Sequence, residues 1–114
     1  ITLDEALLEA SGILPFEKVQ VVNVNNGSRL ETYTIPGRRD SGIVCLNGPA
    51  ARLAVKGDEV IVISYAQLTP EEARDLRPRV VLVDESNVPT EIIDLGPERR
   101  SASDQPVEPD VFSA

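Results

Sequence analysis

A chain of 114 residues, 41% of them apolar, can build one domain around one core and has little left for a second. Its formal charge of −8 disfavours a sequence-independent grip on phosphate backbones or on an anionic membrane face, so any anionic ligand must be met by a locally placed arginine. A single cysteine and no histidine leave no internal disulfide, no Cys/His metal set and no histidine-based triad.

The first residue is Ile1 and the chain contains no methionine, so removal of an upstream segment is expected, by signal-peptide cleavage or by self-cleavage of a precursor. Residues 4–11 read as a short helix: Leu3, Leu7, Ala10 and Leu14 recur near helical spacing, Thr2 or Asp4 can cap, and Gly12 stops it. Residues 18–24 and 29–35 read as a hairpin closed by Asn25-Asn26-Gly27-Ser28. Pro36-Gly37 is expected to break the chain, and Arg38 and Arg39 to lie in a solvated loop. Residues 43–46 read as a buried strand with Cys45 as a small core residue, followed by an Asn47-Gly48-Pro49 turn and one helical turn over 50–53.

Residues 59–65 are the strongest strand, rich in β-branched side chains and ending at Tyr65, expected in the core or at an interface. Thr69-Pro70-Glu71-Glu72 carries a helix start: Thr69 as cap, Pro70 at the first helical position, and Glu72 to close a capping box. Further strands are expected over 79–84 and 91–95. The composition then shifts to Pro, Ser, Asp and Glu, so 97–114 reads as a flexible acidic tail behind a domain over 1–96. No apolar run approaches the ~18 to 20 residues of a membrane helix. The sum is a mainly β barrel or sandwich with two short helices, expected to be soluble and cytoplasmic, with no metal, nucleic-acid or membrane partner.

Two places could carry chemistry: Arg29, Thr32 and Tyr33 on the returning strand, and the Asn47-Gly48-Pro49-Ala50-Ala51 turn. Arg29 and Tyr33 share a strand face about 13 Å apart, whereas Thr32 points to the opposite one, so a regular strand cannot aim all three at one point. Without histidine, a proton donor near pH 7 must be Asp, Glu, Tyr, Lys or Cys. Residue by residue the blander readings weigh more: Arg29 on a solvated face, Tyr33 half-buried at a barrel rim, Asn-Gly as a plain turn.

The order and spacing of several motifs change that balance. Ile1-Thr2-Leu3-Asp4, Leu8-Glu9-Ala10-Ser11-Gly12-Ile13-Leu14, Asn26-Gly27-Ser28-Arg29-Leu30-Glu31-Thr32-Tyr33, Asn47-Gly48-Pro49-Ala50-Ala51, Gly57-Asp58-Glu59-Val60-Ile61 and Glu71-Glu72-Ala73-Arg74 together resemble the bacterial aspartate 1-decarboxylases, over about residues 1–84. The resemblance implies a double-psi β barrel. It also implies a precursor cut at a Gly-Ser bond into a β chain and an α chain, with the serine converted to a pyruvoyl group just before Ile1. The implied reaction is decarboxylation of L-aspartate to β-alanine and carbon dioxide through an imine, supplying pantothenate and coenzyme A, in a homotetramer of αβ units.

By the same resemblance Arg29 binds the retained substrate carboxylate, Tyr33 is the proton donor, and Thr32 serves self-cleavage. Asn47, Gly48, Pro49 and Ala50 wall the pyruvoyl group and substrate, and Ile61 lines the pocket. Pro49 stands where the family usually has alanine, which removes a backbone donor. The alternatives are a non-catalytic double-psi barrel module, or a processed secreted β domain. Neither makes use of the ordered motifs.

Overall fold

The first strand, β1 (Thr2–Asp4), runs straight into helix α1 (Glu5–Ser11); β2 (Lys18–Asn23) and β3 (Arg29–Tyr33) form the expected hairpin, and β4 (Ile35–Gly37) follows after one residue. Then come β5 (Val44–Cys45), a 3₁₀ helix (Gly48–Leu53), β6 (Val60–Ile63), α2 (Pro70–Asp75), and the β7 (Arg79–Val83) and β8 (Pro89–Asp94) hairpin. These come from a computed structural model that describes residues 1–95. The tail expected over 97–114 lies outside the described residues. The architecture is mainly β with short helices, as a small barrel fold requires, and its strands divide into three sheets ordered β4-β1-β5, β3-β2-β6 and β7-β8. Among the described residues no helix is long and apolar enough to cross a membrane.

The helix ends follow the local signals. Asp4, and not Thr2, caps α1 by accepting from the Ala6 N–H at 2.8 Å, and Gly12 closes it at φ +76° with its N–H on the Leu8 and Glu9 carbonyls. In α2 the Thr69 hydroxyl accepts from the Glu72 N–H while the Glu72 carboxylate accepts from the Thr69 N–H, so the capping box is complete.

The apolar phase of α1 differs from the expected one. Leu3 belongs to β1, so the helix starts two residues later than a Leu3 phase implies; Leu8 enters the core, Leu7 is half-buried and Leu14 lies exposed beyond the helix. The core gathers Ile1, Leu3, Leu8, Ile13, Val19 and Val21, with Leu30, Val44, Leu46, Val60 and Val62 packed against it. Full burial of a side chain such as Val19 or Val21 stabilises by roughly 1.5–3 kcal/mol.

Two further expectations are corrected. Pro36-Gly37 does not break the chain: β4 pairs in parallel with β1, in the register Thr2↔Ile35, Leu3↔Pro36, Asp4↔Gly37. Proline is tolerated there because β4 is an edge strand, and the first bond to β1 comes from the Ile35 N–H to the Ile1 carbonyl at 2.8 Å. The strand expected over 43–46 narrows to Val44–Cys45, and Cys45 is exposed. On that edge strand the alternation turns Val44 towards the core and Cys45 out. Arg38 and Arg39 lie exposed in a loop, as expected, and Arg39 pairs there with Glu9 of α1 at 2.6 Å.

Asp4 does more than cap. It is 3% exposed, and its carboxylate also accepts from the Asp40 N–H at 3.0 Å and the Gly42 N–H at 2.8 Å. Burial alone would push this carboxyl up, but the N–H groups of Gly42, Ala6 and Asp40 outweigh it and hold the group below the ordinary carboxylate value. One buried anion thereby joins β1, α1 and the 38–42 loop.

Candidate active site

The antiparallel register sets which side chains meet on the β3-β2-β6 sheet. Val22 faces Arg29, Gln20 faces Glu31 and Lys18 faces Tyr33, while across β2 Gln20 faces Ile63 and Val22 faces Ile61. Directly paired residues share a face. One face therefore carries Arg29, Glu31, Tyr33, Lys18, Gln20, Val22, Ile61 and Ile63, and the other carries Leu30, Val19, Val21 and Val62 towards the core.

Thr32 pairs with Val19 and is half-buried, so it points away from Arg29 and Tyr33 as a regular strand demands. The β2–β3 pairing runs unbroken from Lys18↔Tyr33 to Val22↔Arg29, so no bulge turns Thr32 round. Tyr33 is 53% exposed. An open cleft of about 400 Å³ is lined by Lys18, Val19, Gln20, Glu31 and Tyr65.

Electrostatically this face holds one pair and one differently partnered cation. Lys18 meets Glu31 at 3.2 Å across the hairpin. Arg29 meets a neutral acceptor, the Gln20 amide oxygen, 3.5 Å from Nη1. That oxygen also accepts from the Tyr65 hydroxyl at 2.7 Å, so Tyr65, 69% exposed, is neither core nor idle.

The second half of the site surrounds Ile1. The Ile1 nitrogen donates to the Tyr33 carbonyl at 2.8 Å, and its side chain, 3% exposed, anchors the position in the core. Next to it Thr2 pairs with Cys45, and the Asn47 amide donates to the Thr2 hydroxyl at 2.8 Å. Asn47 is exposed and precedes the 3₁₀ helix without capping it, which leaves its side chain to Thr2 and its oxygen facing the Cys45 thiol at 3.4 Å.

Gly48 takes φ +60°, a conformation that favours glycine, and Pro49 occupies the first turn, where a backbone N–H has no partner within the helix. Pro49 thus costs the helix no hydrogen bond. The far end of the 3₁₀ helix is held by a polar knot: the Leu53 carbonyl accepts from Asn23, Asn26 and Ser28 side chains at 3.1, 3.0 and 3.1 Å. Asp58 joins it, its carboxyl held low by the Asn23 amide and the Val55 N–H.

The chain thus brings Asn47 to Thr2 and the Tyr33 backbone to Ile1, with the Gly48–Ala50 turn following Asn47, while Arg29 sits at the far end of β3 and Ile61 two strands away from it. Sequence reasoning missed Gln20, Asp4 and Asn23. The period-two alternation of β2 would have put Gln20 on the Arg29 face, but nothing local marks Asp4 or Asn23 as hubs of long-range hydrogen bonds.

The model of the family described as aspartate decarboxylase matches residues 1–90. The chain belongs to the aspartate decarboxylase family. It is 75% identical over 87 residues to a Salinibacter ruber protein named Aspartate 1-decarboxylase, covering 76% of this chain and 60% of that relative. Proteins of the same name from Carboxydothermus hydrogenoformans and Lactiplantibacillus plantarum are 67% and 62% identical, each over 76% of this chain, and are covered to 68% and 67% of their own length. The chain thus spans about two thirds or less of these relatives, and the family match encloses both halves of the site.

Proposed function

We propose that this chain is the pyruvoyl-bearing part of an aspartate 1-decarboxylase, which converts L-aspartate to β-alanine and carbon dioxide in the cytoplasm and feeds pantothenate and coenzyme A synthesis. The observation that carries the reading, together with family membership, is the setting of the Ile1 nitrogen. Its hydrogen bond to the Tyr33 carbonyl needs one N–H, and an acylated nitrogen keeps one. Asn47 and the first-turn N–H of Ala50 would hold a pyruvoyl group on that nitrogen. When bound, that group supplies an electrophilic keto carbon and an adjoining carbonyl that accepts electron density.

The chain's own residues bind, orient and move protons. Arg29 presents a planar fork to the substrate carboxylate that is retained. Tyr33 gives its phenolic proton to the carbon that has lost carbon dioxide. Asn47 and the Gly48–Ala50 backbone orient the reacting end, Pro49 shapes the turn without donating, and Ile61 supplies an apolar wall on the Arg29 face. Thr32, on the opposite face, polarises the scissile carbonyl of the precursor, a task separate in time from turnover. The β chain of the same precursor and neighbouring copies in a homotetramer cover the open face that Arg29 and Tyr33 share.

Expression of the full precursor tests this. Intact mass should show a pyruvoyl cap before Ile1, Thr32→Ala should leave the precursor uncut, and Tyr33→Phe should process normally but form little β-alanine. A free amine on Ile1 in fully active enzyme would overturn the cofactor assignment, and wild-type turnover in Tyr33→Phe would overturn the proton donor.

A further inference from the structure

The outward side chain of Gln20 on β2 makes hydrogen bonds on both sides of its strand. Its amide oxygen accepts from the Tyr65 hydroxyl at 2.7 Å and stands 3.5 Å from Arg29 Nη1. A carboxamide oxygen has two lone pairs, so both donors fit, and the guanidinium, which can only donate, selects the oxygen end of the amide while Tyr65 holds it. Glu31, two residues from Arg29 on the same face, is engaged by Lys18 at 3.2 Å. The guanidinium is left with a neutral partner.

That neutrality matters for a carboxylate-binding arginine. An anionic partner would cancel much of the charge and compete with the ligand, whereas an amide oxygen orients the fork and leaves its charge whole. The looser contact to Arg29 also yields to a stronger carboxylate acceptor. We propose that Gln20, held by Tyr65, is a positioning residue that aims Arg29 at the retained carboxylate of the substrate and thereby sets substrate affinity. This rests on the reading of Arg29 as the carboxylate anchor.

Steady-state kinetics with L-aspartate on the self-processed enzyme tests it. Gln20→Glu should raise KM about tenfold or more while kcat falls less than about threefold, since the binding that is lost is shared by bound substrate and transition state. Tyr65→Phe should shift KM in the same sense by about two- to fivefold, and as an exposed substitution it carries the test alone if Gln20→Glu fails to fold or process. In an Arg29→Lys background the Gln20→Glu effect should shrink below about twofold, because the two residues act as a unit.

An equal Gln20→Glu effect in the Arg29→Lys background would overturn the proposal. So would a KM unchanged by Gln20→Glu and by Tyr65→Phe while Arg29→Lys raises it, or a loss confined to kcat. If Arg29→Lys itself leaves KM unchanged, the anchor reading falls first and the positioning role falls with it.

Discussion

Across the β3-β2-β6 sheet, the inward side chains Val19, Val21, Leu30 and Val62 close on the core, while the outward Lys18, Arg29, Glu31 and Tyr33 carry charge and a hydroxyl in the open and Gln20 stands half-buried among them with its amide. The same backbone and the same register serve both faces. The inner one is stabilised by removal of apolar surface from water, which asks only for shape and volume. The outer one holds an arginine on a neutral acceptor and an exposed tyrosine, an arrangement that stabilises the fold little and leaves donors for something else. Core packing and exposed polar groups are thus separated by one step in the side-chain alternation.

The sharpest way to break that separation is to change one face and read both stability and activity. If Tyr33 is the proton donor proposed above, Tyr33→Phe should lower kcat by about 100-fold or more, with a melting temperature shifted by less than about 2 °C. A large fall in stability would mean that the outer face is structural after all. Val21→Ala, on the inner face, should reverse the pattern: roughly 2 kcal/mol lost from the two deleted methyl-sized groups and the cavity they leave, seen in the urea midpoint, with kcat per folded site within about twofold.

Asp4→Asn tests a polar element of the interior. The amide cannot accept from all three N–H groups that the carboxylate serves, so a loss of about 1 to 3 kcal/mol is expected at pH 7. The pH dependence has a definite sign. Because the folded state lowers the Asp4 pKa below 3.8, its contribution is present above that value and is lost as pH falls through the folded-state pKa. Urea midpoints between neutral pH and about pH 3 should therefore fall less steeply in Asp4→Asn than in the wild type.

The smallest effect is expected for Lys18→Ala. Its pair with Glu31 is solvent-exposed on both sides, so stability should change by no more than about 0.5 kcal/mol. It also frees Glu31, two residues from Arg29, and a raised KM for L-aspartate in that variant would show that the ion pair keeps a carboxylate away from the arginine.

Much of this was determined locally. The caps of α1 and α2, the Asn25–Ser28 turn, the pairing of 18–24 with 29–35, and the opposite facing of Thr32 against Arg29 and Tyr33 follow from short-range stereochemistry, which a sequence displays directly. The ordered motifs carried the family resemblance for the same reason: they are residues at fixed spacing. What required the tertiary structure was every feature built from distant segments. Pro36-Gly37 becomes a strand only because β1 lies beside it, and Cys45 is exposed because β5 ends its sheet. Asp4 becomes a hub only when the 38–42 loop folds over it. Gln20 meets Tyr65 across 45 residues of chain, and Ile1 meets Tyr33 across 32. Such contacts depend on sheet order and register, and no local preference encodes which strand will be the neighbour.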